Sequence, residues 1–197
     1  MRLSRLAPIV LAAVSILAAA NEAQARYVGN LNLFVGEKWL DNGDWSPADE
    51  QPQYGLMLAF GEERAPVHFS LDVFLSNVEI TDANPTVDTI VRGASTEFAM
   101  GVRKVWGQKA TRPHLGAGVD VVQVSENRDG PTGLVKNSDR GYGAWVDGGV
   151  TWRIASHLNL GIEARYSVLN VYLGKGEALR DVAAGGIHLG VLIGYGW

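Results

Sequence analysis

The feature that most constrains this chain is an alternation of period two that recurs in eight stretches, one of whose two faces is apolar and the other rich in glycine. In a strand, successive side chains point to opposite faces. In "IHLGVLIGYGW", Ile187, Leu189, Val191, Ile193, Tyr195 and Trp197 share one face, and Gly190, Gly194 and Gly196 lie on the other with His188 and Leu192. "HLNLGIEARYS" repeats the pattern, with Leu158, Leu160, Ile162, Ala164 and Tyr166 opposite Asn159, Gly161, Glu163, Arg165 and Ser167. The other six stretches read from about Tyr27, Gln53, Val67, Thr96, Arg112 and Tyr142. None of the eight has helical periodicity.

The connections sort by length. Three are short: "EERAP", "GQKAT" and the residues around "IAS". Four are longer and polar, reading as loops over 37–52, 77–93, 125–140 and 168–183. Short and long alternate strictly, as expected of a membrane barrel with short periplasmic turns and long outer loops. A soluble barrel of the lipocalin type would turn its apolar face inward instead. Three features favour the membrane arrangement. Glycine crowds the polar face, and it weakens a strand unless something must fit against it. Aromatic residues stand towards strand ends on the apolar face: Trp39, Tyr54, Trp106, Tyr142, Trp152 and Tyr166, with Tyr195 and Trp197. They read as interfacial anchors. Strands of about ten residues suit a tilted bilayer crossing. The expected fold is all-β: an eight-stranded antiparallel up-and-down transmembrane β-barrel.

Residues 1–25 have Arg2 and Arg5, an apolar run from Leu6 to Ala20, and Ala23-Gln24-Ala25 as a small-x-small cleavage site. That is the layout of a cleaved signal peptide, with 26–197 as a single barrel domain. The formal net charge of −4 becomes −5 once Arg2, Arg5 and Glu22 are removed. No basic patch is present, which argues against a nucleic-acid partner. Without cysteine there is neither a disulfide framework nor a thiolate metal site.

These features resemble the small eight-stranded bacterial outer-membrane barrels, the group that includes the OmpA transmembrane domain, OmpX and OmpW. In that group, terminal alternation ending in an aromatic residue is the recognition signal for the barrel-assembly machinery. Leu189, Val191, Ile193, Tyr195 and Trp197 match it, with Trp where Phe is commoner. The resemblance implies a bacterial outer-membrane location after secretion through the inner membrane. It also implies outer-membrane lipid and lipopolysaccharide as surroundings, and periplasmic chaperones and the assembly machinery as partners in biogenesis. A monomer is expected.

The glycine-rich face also carries Asp72, Glu97, Arg103, Asp120, Asp147, Arg153, Glu163 and Arg165. Charges in a narrow interior must be paired, so these residues read as an ion-pair network plugging the lumen. His68, Ser70 and Asp72 recur on one strand face, but same-face neighbours stand about 7 Å apart, too far for a triad. Four scattered histidines give no metal-ligand spacing. Asp41, Asp44, Asp49, Glu50, Asp82 and Asp88 read as solvated acidic loops, despite the calcium-loop flavour of "DNGD". In "GEKWL", Trp39 reads as an anchor with Lys38 reaching lipid phosphate. No catalytic residue, metal or cofactor is expected. The leading functional expectation is a non-enzymatic barrel with a plugged polar lumen, acting in envelope structure or surface interaction through its four outer loops. A narrow channel for small or apolar solutes, in the OmpW manner, is the alternative. A lipid A-modifying enzyme is the second alternative.

Overall fold

Each alternating stretch forms a strand, and the strands close on themselves. A computed structural model describes residues 27–83, 88–107, 110–130, 133–174 and 179–197. The expected signal peptide lies outside them. In chain order the elements are β1 (Tyr27–Trp39), α1 (Asn42–Trp45), β2 (Glu50–Glu62), β3 (His68–Ala83), β4 (Asp88–Val105), β5 (Thr111–Gly130), β6 (Gly133–Arg153), β7 (Leu158–Leu173), β8 (Arg180–Ala183) and β9 (Gly186–Gly196).

Every neighbouring pair is antiparallel. The barrel closes where β1 pairs with β9. The eighth stave is β8 followed by β9, both paired with β7 and interrupted only at Ala184 and Gly185. Following the pairs from Ile162 one way round reaches β5 at Pro113, and the other way at Gln123. That ten-residue displacement is the stagger that obliges strands to tilt in a closed barrel.

The faces are distributed as in a membrane barrel. Leu33, Val35, Phe98, Met100, Val119, Val146, Ile162 and Val191 are exposed on the outside, whereas Asp72, Glu97, Arg103, Asp120, Asp147, Glu163 and Arg165 are buried inside. The inner glycines lie beneath large side chains. A Cβ on Gly55 would stand 2.4 Å from the Phe74 ring, and one on Gly190 would stand 2.5 Å from that of Phe34.

The segments expected as outer loops are corrected by the structure. β3 and β4 pair up to Ala83↔Asp88, and β5 and β6 up to Gly130↔Gly133. β5 and β6 run for 20 and 21 residues, about twice the length a tilted crossing needs. Alternation persists there, but its chemistry inverts. On β5 the inner residues change from Gly118 and Asp120 to Val122 and Val124, while the outer ones change from Val119 and Val121 to Gln123 and Ser125. On β7 the inner face changes from Arg165 and Ser167 to Leu169 and Val171. Above the bilayer the strands meet water outside, so they bury apolar residues within, as a soluble sheet does. The polarity suggested loops because these strands no longer face lipid.

Candidate functional site

The lumen is filled in layers. At its periplasmic end, Arg153 donates to Asn159 and to Asn30. Next come His114, whose Nε2 lies 2.7 Å from Glu163 Oε2, and Arg103, which is paired with Asp147 and, at 3.0 Å, with Asp72. Arg165 bridges Asp72 at 3.3 Å and Asp120 at 2.7 Å. Its guanidinium stacks 4.5 Å from the Trp145 ring centroid and 4.9 Å from that of Phe74. Planar guanidinium suits this double duty, since its edge pairs with carboxylates while its face meets aromatic rings.

Higher up, Lys38 pairs with Glu97 and donates to the Ala184 carbonyl at 2.8 Å. His188 lies 3.0 Å from the Ser167 hydroxyl through Nε2 and 2.8 Å from Gln53 Oε1 through Nδ1. Ser76 then bridges Gln51 and Ser95 at 2.8 and 2.7 Å. An apolar layer closes the top: Trp45, Val122, Val124, Leu169, Val171, Leu173, Val182 and Ala184 are all buried together.

α1 brings Trp45 into this cap. Asp41 caps its start by accepting from the Gly43 N–H at 2.9 Å. The Trp45 indole N–H donates to the Ala183 carbonyl at 2.6 Å, and the Ala183 N–H donates to Asp44 at 2.8 Å. Arg180 donates to the Asp44 carbonyl at 3.0 Å and to Glu126 at 2.8 Å. Two acids of "DNGD" thus act as cap and clamp. Burial pushes the Glu126 carboxyl up, but hydrogen bonds and charge from Arg128 and Arg180 outweigh it and hold the group below the ordinary carboxylate range.

Of the eight charges expected in one network, Asp72, Asp120, Asp147, Arg103 and Arg165 are linked directly. Glu97 and Glu163 take their partners from Lys38 and His114. Arg153 sits apart with asparagines, half-buried at the periplasmic mouth. Lys38 does not reach lipid phosphate: its side chain is fully buried. The signal was available, since position 38 shares the inward parity of Asn32 and Phe34. His68, Ser70 and Asp72 form no relay, because Asp72 is held by the two arginines. Ser167 and His188 do touch, from adjoining strands. The His188 Nδ1 faces an amide oxygen rather than a carboxylate, and both side chains are buried beneath the cap. That is a poor nucleophile–base pair by the requirements of a triad.

The expected anchors are on the outside. Tyr54, Tyr142 and Tyr166 are exposed towards the outer end, and Trp106 and Trp152 towards the periplasmic end. Trp39 is half-buried. The Trp197 indole lies over Gly29, where a Cβ would come within 2.3 Å of the ring. Tyr195 stacks between His157 and Trp197, with ring centroids 4.9 and 6.4 Å away.

An apolar exterior, a charged interior and closed antiparallel pairing define a transmembrane β-barrel of the bacterial outer-membrane class. Comparison with known proteins agrees at the level of fold. No family model and no curated protein sequence matches the chain. Ail of Yersinia pestis, solved in complex with the heparin analogue sucrose octasulfate, superposes with a TM-score of 0.55 at 8% identity, covering 87% of this chain and 99% of that one. The N-terminal barrel of Pseudomonas aeruginosa OprF covers 88% of this chain and all of its own at 12% identity, with a TM-score of 0.47. Neisserial surface protein A gives 14% identity, coverage of 86% and 94%, and a TM-score of 0.42.

Proposed function

We propose that this chain is a non-enzymatic outer-membrane barrel with a plugged lumen, acting in envelope structure or surface interaction through its outer end. The observation that carries this reading is the continuous filling of the interior, with ion-paired layers below an apolar layer that α1 completes. An eight-stranded barrel encloses little beyond its own side chains, and here those side chains are bonded to one another. The outer hairpins supply the interaction surface. Leu134, Val135 and Tyr172 stand exposed there among polar residues. On this reading residues 1–25 are removed on export, Leu189 to Trp197 serve the assembly machinery, and the mature barrel is a monomer in lipid and lipopolysaccharide.

The test is planar-bilayer conductance of the purified full barrel. Absence of discrete openings is the expected result. Resolved single-channel steps would overturn the plug and favour the narrow-channel alternative. The mass profile of lipid A after overexpression is expected to stay unchanged; a new acylation state would make the barrel an enzyme.

A further inference from the structure

The buried interior of the spanning part is short of positive charge. Among the described residues, Asp72, Glu97, Asp120, Asp147 and Glu163 are buried there against Lys38, Arg103 and Arg165. Five carboxylates face three permanent cations. Unbalanced charge in a low-dielectric interior is costly. Glu97 Oε2, Asp120 Oδ1 and Glu163 Oε1 are buried there without a hydrogen bond, as are the donors Arg165 Nε and Gln53 Nε2.

One cluster is built to take the missing charge. His114 on β5, Asp147 on β6 and Glu163 on β7 each offer a ligand atom, and the three atoms lie within 4.8 Å of one another. All three side chains are at least nine-tenths buried. The space between them depends on glycine. A Cβ on Gly149 would stand 2.5 Å from Glu163 Oε2 and 2.8 Å from His114 Cε1, and one on Gly116 would stand 2.5 Å from Asp147 Oδ1.

We propose that His114, Asp147 and Glu163 form a binding site for a zinc-like divalent cation inside the barrel. One imidazole nitrogen with two carboxylate oxygens suits zinc better than calcium or magnesium, which prefer all-oxygen shells. A divalent cation also offsets the whole surplus of two carboxylates. A cavity of about 20 Å³ adjoins the site, lined by Asn30, Asn32, Arg103, His114 and Thr151 among others. It has room for a single water beside His114. Asn30 and Val105 also line the ≈590 Å³ cavity at the periplasmic mouth. The sequence conceals the site because its ligands come from three strands and meet only when the sheet closes. The ion's role is structural, neutralising the lumen that the plugged-barrel reading requires.

The test uses the full barrel in detergent, stripped with chelator and titrated with Co²⁺ for its visible spectrum and with Zn²⁺ against a chromophoric chelator. One equivalent is expected to bind, with Co²⁺ bands of a four-coordinate nitrogen–oxygen site. His114→Gln and Glu163→Gln are expected to weaken binding at least about tenfold. Glu79→Gln, at the exposed outer end, is expected to leave it unchanged. Glu163→Gln keeps the side-chain shape and removes a surplus charge. The metal-free variant is therefore expected to melt above the metal-free native barrel and to stop responding to zinc. Absence of binding overturns the proposal. So does undiminished binding by both site variants, which would put the ion on the acidic outer end.

Discussion

Arg165 is the interior residue whose removal should be felt most. It supplies the 2.7 Å bond to Asp120, a second bond to Asp72, and the cation that lies over Trp145 and Phe74. Arg165→Met keeps an apolar stem of similar length and deletes the charge. Asp72 retains Arg103, but Asp120 loses its hydrogen-bonding partner in an interior already short of cations. Breaking one side of a buried pair costs about 3–5 kcal/mol, because the surviving charge is stranded. With a urea m-value of about 2 kcal/mol/M, the unfolding midpoint should fall by on the order of 2 M. Asp120→Asn alone leaves Arg165 paired with Asp72 and should cost less. In the double variant the stranded charge is gone, so the two costs should fall short of additivity by about 1–3 kcal/mol. The assay is urea unfolding of barrels refolded into lipid vesicles, followed by tryptophan fluorescence and by the cold-stable gel band. An Arg165→Met barrel within about 1 kcal/mol of native, or strictly additive costs, would falsify the account of a charge-balanced plug.

Three further outcomes follow from the layers on either side. Trp45→Ala removes the largest side chain of the apolar cap and its bond to Ala183; truncations of this kind cost about 3–5 kcal/mol. Here the loss should appear as protease cleavage within residues 40–50 of a barrel that still runs as folded on an unboiled gel, and an uncut segment would show that α1 is held by something else. Glu126 ties β5 to Arg180, and its carboxyl is held below the ordinary value of 4.5. A lowered folded pKa stabilises above the unfolded pKa, and that stabilisation is lost as pH falls through the folded value. Amide exchange in β8 should therefore accelerate below about pH 4.5, and Glu126→Gln should flatten that dependence; an unchanged profile in the variant would assign the acid response to another group. Trp197→Asp places a charge where an indole packs on Gly29 beside Tyr195. It should lower the amount of barrel reaching the outer membrane, and normal levels would remove Trp197 from the assembly signal.

Much of this molecule is legible in the chain alone, because period-two alternation is a local property. The inward parity of Asp72, Arg103, Asp147 and Arg165 and the outward parity of Leu33, Met100 and Val191 follow from their own strands. The sequence by itself therefore determined the number of staves, the polarity of each face and the presence of charges inside. The extent of the strands was harder to read. Val122, Val124, Leu169 and Val171 keep the parity of the membrane segment while water replaces lipid outside them, so polarity resembled a loop although pairing continued. Pairing partners lay beyond the sequence altogether. Lys38 meets Glu97 across 59 positions and His114 meets Glu163 across 49. Which inward residues share a level depends on the ten-residue stagger of the closed sheet, and that stagger is fixed by closure and packing rather than by any one strand. Tertiary structure alone decided that Arg165 sits between two carboxylates and two aromatic rings, and that α1 folds back over the mouth. It also decided that His114, Asp147 and Glu163 stand together, because a barrel joins its staves only after every strand has found both neighbours.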